Sequence, residues 1–175
     1  KMSEGNEIAR DLAKQAELLV EAGKLDEAEK KLEEAINADP MVVDCYKTYG
    51  DLFMAKKQYV DAKNYYKKAL LIEKEGYLYY LYGNACFMNN DEHEGLENYN
   101  LAISNGFDTD QMMFFMGMAY EHMNDDNNAL RYYQRAQQKN PSRPDFQVRK
   151  IRVLGRLGET EQALKCSDEL ISNSP

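Results

Sequence analysis

Apolar residues recur along this chain at spacings of three and four, in stripes about a dozen residues long with short polar breaks between them. Leu12, Ala16 and Leu19 make one stripe, and Leu25, Ala28, Leu32 and Ala35 make the next. Side chains three and four apart share a helix face, so each stripe predicts an amphipathic helix. The pattern predicts helices over residues 8–22, 25–38, 42–56, 59–73, 146–157 and 160–172, with another two inside 76–102. Strand-like alternation is absent. Gly23 and Gly158 fall between paired stripes, where a helix commonly ends on a left-handed residue. The residue before a proline is pushed out of helix, so Asp39-Pro40 separates one pair from the next. Ser3 followed by Glu4 can cap an early helix start.

The stripes repeat. The small residue early in each second helix is Ala28, Ala62, Gly95, Ala129 or Ala163, with gaps of 34, 33, 34 and 34. A glycine inside the first helix recurs at Gly50, Gly83 and Gly117, with gaps of 33 and 34. Leu32, Tyr66, Tyr99 and Tyr133 follow the small residue by four, and Ala35, Ala69, Ala102 and Ala136 follow those. Pro40, Pro141 and Pro175 close units. This pattern resembles the tetratricopeptide repeat, a helix–turn–helix unit of about 34 residues. The resemblance implies an all-α, right-handed superhelical solenoid of about five antiparallel helix pairs. On it, a polar lead-in at 1–8 precedes a single domain at 9–175, with repeats at 9–42, 43–75, 76–109, 110–143 and 144–175. The chain departs from the family pattern in places. Tryptophan is absent, Gly95 replaces alanine, and the last unit has Ser167 and Leu170 where an aromatic and an alanine are usual.

Charge and composition narrow the function. The formal net charge is −8, whereas nucleic-acid binding wants a basic surface. No run of 18 apolar residues exists to span a membrane. The three cysteines have no CxxC spacing and read as buried or half-buried thiols of a reducing compartment. A cytoplasmic location is therefore expected, with an exported form whose signal peptide has been removed left open. Residues 89–94 and 124–128 are rich in Asn and Asp but lack calcium-loop spacing. They fall at turns within repeats, where such residues cap helices. His93 and His122 lie in different repeats, so neither a metal, a cofactor nor a catalytic set is expected.

What remains is an uneven distribution of rings and charges. Residues 75–130 contain no Lys or Arg, and ten of the chain's nineteen Phe and Tyr lie within 76–121. In helix-pair solenoids the first helices line the concave surface used for binding. Helical spacing groups Tyr77, Tyr80, Asn84 and Phe87 into one row, and Gln111, Phe114, Phe115 and Met118 into another. In the fifth unit Arg149, Arg152 and Arg156 accompany Asp145 and Val148. The expected groove has an aromatic, Met-rich middle and an arginine-rich end. Aromatic residues and arginine dominate interface energetics, and methionine repacks around different partners. The resemblance implies that Asn84 hydrogen-bonds a peptide backbone, while the arginines can take a carboxylate. Simple packing competes as the account of the same rings. A subset of the family grips chaperone C-termini with spread lysine, asparagine and arginine. Ala13, Glu17 and Leu81 stand where that pattern needs basic or amide groups. The expected function is a non-catalytic protein-interaction scaffold holding a peptide or protein segment across Tyr77, Tyr80, Asn84, Phe87, Phe114, Phe115 and Met118 toward Arg149 and Arg152. The alternative is a self-assembling module, a homo-oligomer formed through the groove or through the uncovered Leu164, Leu170 and Ile171 of the last helix.

Overall fold

A computed structural model describes residues 3–174, which form ten α-helices and no strand. They are α1 (Glu4–Glu21), α2 (Leu25–Ala38), α3 (Val43–Ala55), α4 (Tyr59–Ile72), α5 (Gly76–Met88), α6 (Glu92–Ser104), α7 (Asp110–His122), α8 (Asp126–Lys139), α9 (Pro144–Arg156) and α10 (Thr160–Ser172). The elements agree with the predicted stripes to within a few residues, except at the start. Ser3 Oγ accepts the Asn6 N–H at 3.1 Å, so α1 begins at Glu4 inside the stretch read as a polar lead-in. Thr109 and Asp125 cap α7 and α8 in the same way, at 3.1 and 3.2 Å.

The repeat period reappears in the backbone. The turn inside each hairpin carries one left-handed residue: Gly23, Lys57, Asn90, Asn124 or Gly158, at φ of 76°, 59°, 63°, 60° and 80°. At each, two N–H groups fold back onto the orphan carbonyls of the first helix. In the first turn Gly23 donates to Val20 O at 3.0 Å and Lys24 to Leu19 O at 2.8 Å. In the second, Lys57 donates to Met54 O at 3.0 Å and Gln58 to Phe53 O at 2.9 Å. Lys57 adopts this conformation without the freedom of glycine or the local hydrogen bonding of asparagine.

The chain divides into two compact units, where the sequence predicts one domain. The break falls between Phe107 and Asp108, two residues before the start expected for the fourth repeat. The first unit holds α1 to α6 as three hairpins, with α3 packed on α1 and α2, and α5 on α4. Its core is built in steps: Ala9, Ala13, Ala35, Val42 and Cys45, then Ala16, Ala28, Leu32, Tyr49 and Leu52, then Ala62, Tyr66, Tyr82, Ala85 and Cys86. The second unit holds α7 to α10, with α8 packed on α9. Met112, Met113, Met116, Tyr133, Phe146, Val153 and Leu154 are fully buried in it. No residue of α10 is buried, and Leu164 and Ile171 are 60% and 69% exposed.

A recurring sequence feature locks the second, third and fourth hairpins. Gly50, Gly83 and Gly117 lie against the rings of Tyr66, Tyr99 and Tyr133, where an added Cβ would sit 2.3, 2.5 and 2.5 Å from ring carbon. The glycine is therefore the space that the tyrosine fills, sixteen residues later in each case. Gly95 has a different cause. A Cβ there would meet the Phe87 ring at 2.9 Å, so the departure from alanine accommodates an aromatic on the facing helix.

Candidate functional site

On α5 the predicted row becomes an aromatic wall. Tyr77 is 39% exposed, with its ring 5.4 Å from Phe107 and 6.0 Å from Tyr80. Tyr80 is half-buried, 5.1 Å from Phe107 and stacked at 5.8 Å on Tyr99. Phe87 meets Tyr99 edge-on at 4.8 Å. Such offset and edge-on pairs suit the quadrupole of the ring and keep the wall rigid. Asn84 lies beneath it. Its side-chain oxygen accepts the Tyr99 hydroxyl, so half of the amide already serves the hairpin.

That bond has a counterpart in the second and fourth repeats, and its variation shapes the second unit. In the second repeat Tyr66 donates to Asp51 at 2.6 Å, and Asp51 in turn pairs with Lys47 at 3.0 Å. Asp51, Asn84 and Met118 occupy the same repeat position, at gaps of 33 and 34. Met118 offers no comparable acceptor. The Tyr133 hydroxyl instead donates to Glu121 Oε1 at 2.5 Å, almost one turn further along α7.

Glu121 then becomes the centre of an arginine cluster. Arg149, Arg152 and Arg156 reach its carboxylate at 3.7, 3.3 and 2.6 Å, and Arg156 also pairs with Asp126 at 2.9 Å. Burial alone would raise the Glu121 carboxyl. The Tyr133 hydroxyl and the Arg156 guanidinium, reinforced by the Arg152 charge, outweigh it and hold the group below the usual carboxylate range. Asp126 is held low chiefly by its bond from Arg156.

The predicted residues thus fall into three situations. Tyr77, at 39%, and Phe115, at 40%, present ring surface to solvent, while Tyr80, Phe87 and Met118 are half-buried. Phe114 is only 9% exposed, 5.7 Å from the Tyr133 ring and 5.0 Å from Phe146. It is a core residue of the second unit, because the next hairpin brings Phe146 over it. Arg149 and Arg152 come together, but on an internal carboxylate, and the Arg149 guanidinium also lies 6.0 Å from the Phe114 ring centroid. Sequence reasoning missed Glu121. The signal was available, since Glu121 follows Phe87 by 34 and so continues the row through Met54 and Phe87. It also missed Phe107, which lies outside the helical stripes.

The acidic turn at 89–94 serves as a brace. Lys63 Nζ, on α4, pairs with Asp91 at 2.7 Å and Glu94 at 2.5 Å. Asn89 donates to Asp91 at 2.7 Å, and the Tyr82 hydroxyl donates to Glu94 at 2.8 Å. The Asp91 and Glu94 carboxylates are thus satisfied from within the first unit. Among the described residues, no helix is long and apolar enough to cross a membrane.

Comparison with known proteins gives consistent matches. Two family models, each described as tetratricopeptide repeat, match residues 13–77 and 112–142. The photosystem I assembly protein Ycf3 of Prochlorococcus marinus is 36% identical over 75 residues, covering 41% of this chain. That match spans 43% of the length of Ycf3. Among solved structures, MamA superposes with a TM-score of 0.82 at 20% identity, over 98% of this chain and 92% of that one. YrrB, a repeat protein of this kind with an unusual peptide-binding site, gives 0.77 at 21% identity, over 92% and 84%. At these identities the two structures speak to the fold.

Proposed function

The chain belongs to the tetratricopeptide repeat family, and from that premise we propose that it is a non-catalytic scaffold binding a peptide or protein segment. The observation that carries this reading is the wall on α5. Tyr77 is 39% exposed beside half-buried Tyr80 and Phe87, a cluster of rings held in place by Phe107 and Tyr99. Preordered aromatic surface of this kind is what binding hot spots are made of, because little side-chain freedom remains to be lost. In the second unit, taken by itself, Phe115, Met118, Arg149 and Arg152 are the further residues proposed for partner contact. Asn84 acts by fixing Tyr99, with its amide nitrogen left for the bound backbone, and Phe114 acts from below by seating Arg149. The assembly role of Ycf3 and the peptide-binding site of YrrB support a function in protein contact.

The test is a selection of random peptides displayed against the full chain, repeated with Tyr77→Ala/Tyr80→Ala. Peptides enriched by the wild type should lose most of their affinity for the double variant while its helical content is unchanged. Equal affinity for both proteins would remove the α5 wall from the proposal. A second reading, self-assembly, is favoured by α10, whose Leu164 and Ile171 are exposed. Light scattering over a concentration range, with Ile171→Glu as the disrupted form, separates it from the first.

A further inference from the structure

Arg149, Arg152 and Arg156 are spaced three and four apart on α9 and so share one face of that helix. All three contact Glu121. With Asp126 the cluster holds three positive and two negative charges, an excess of one positive charge in a protein whose net charge is −8. The two signs are not equally accessible. The Glu121 and Asp126 side chains are 12% and 24% exposed, against 34%, 51% and 41% for Arg149, Arg152 and Arg156. Solvent therefore meets the guanidinium groups more than the carboxylates that gather them.

The arginines are also held. Tyr133 anchors Glu121 from the core, Asp126 takes two N–H groups of Arg156, and Phe114 lies under Arg149. Long side chains fixed in this way lose less freedom when they bind again. Arg149 and Arg152 each reach Glu121 through one terminal nitrogen, and each guanidinium carries five donors in a fixed fork. Val148, 52% exposed, precedes Arg149 on the same helix.

We propose that the Arg149–Arg152–Arg156 face of α9 is a docking site for an acidic peptide segment, one that sets a carboxylate side chain on the arginines and an apolar neighbour on Val148. Glu121 and Tyr133 act as positioning residues. This rests on the peptide-binding reading above and specifies the chemistry of the partner. Charge complementarity favours an acid, and the exposed Val148 favours a polypeptide over a small free anion.

The experiment uses the random-peptide selection on the full chain and sequences the enriched pool. Asp and Glu should be over-represented, and that excess should vanish with Arg149→Gln/Arg152→Gln. The most enriched peptide, synthesised with a fluorophore, should bind the double variant about tenfold more weakly, the scale of one charge-assisted hydrogen bond. Arg152→Gln alone, at the most exposed of the three, keeps the test valid if the double variant unfolds, and should weaken binding in the same direction. A pool without acidic excess, or one indifferent to both variants, overturns the proposal. So does displacement of the peptide by equimolar inorganic phosphate, which would indicate a general anion site. Neutral peptides lost on Tyr77→Ala would leave the scaffold reading standing while this one falls. Failure to enrich any peptide would remove the reading beneath it.

Discussion

Replacing Gly83 by alanine puts one methyl group where the structure has a tyrosine ring. The new Cβ would lie 2.5 Å from Tyr99 Cδ1, 2.8 Å from Cε1 and 3.3 Å from the Gly95 carbonyl oxygen. Ordinary carbon contacts are about 3.5–4.0 Å, so the ring must move by roughly 1 Å. It has nowhere to go. Tyr99 is fully buried, its hydroxyl is tethered to Asn84, and both Phe87 and Tyr80 pack on its ring. Overpacking of this kind costs about 1–3 kcal/mol, and the tether places this case near the upper end. Against it, alanine is the better helix former by about 1 kcal/mol. The net expectation is a loss of about 2 kcal/mol, read as a lower urea midpoint by circular dichroism at unchanged slope. The same substitution in a Tyr99→Leu background removes the obstruction and should show only the propensity gain, a stabilisation of up to about 1 kcal/mol. The sign of the effect therefore reverses between backgrounds. Loss of stability of equal size in both would refute the claim that glycine is there to make room for the ring.

Lys57→Gly should stabilise the protein by about 1 kcal/mol in the same assay, because a left-handed residue costs a non-glycine side chain about that much. Cys45 and Cys86 are buried, their thiols pushed by that burial up to about 11 and about 12, whereas Cys166 is half-buried. Mass spectrometry after alkylation near neutral pH should find Cys166 labelled first and the other two only on unfolding. Glu94 is held below the usual carboxylate range, first by its bond from Lys63, so it contributes stability at neutral pH that is lost as pH falls through its folded value. In Lys63→Met that acid limb should flatten in a pH series of urea melts, because Glu94 then titrates nearer its unfolded value. An acid limb of the same steepness would show that the brace does not carry it.

How much of this was legible in the chain follows from which interactions are local. Helix spacing, hairpin turns and the glycine–tyrosine pairs all lie within one repeat, and the 33–34-residue period repeats the first two five times and the pairs three times. Depth is different. Helical spacing assigns a residue to a face, but whether that face is covered depends on the next hairpin. Tyr80 and Phe114 occupy one repeat position, yet Phe146 covers Phe114 and helps make it core, while Tyr80 packs on Tyr99 and Phe107 and remains half-buried. The arginine cluster was legible only in part, because it depends on a substitution elsewhere. Once Met118 stands where Asp51 and Asn84 accept a tyrosine hydroxyl, Tyr133 has to find another acceptor, and Glu121 is within reach. A half-buried carboxylate then needs cations, and α9 supplies three on one face. The charge pattern of the fifth repeat is thus coupled to a single methionine in the fourth. Met118→Asn should accordingly draw the Tyr133 hydroxyl back to position 118 and loosen the hold on Glu121. The order of the Arg149 and Arg152 side chains, followed by side-chain relaxation in solution, should fall with it. Arginines that stay ordered in that variant would mean that Glu121 needs no help from Tyr133.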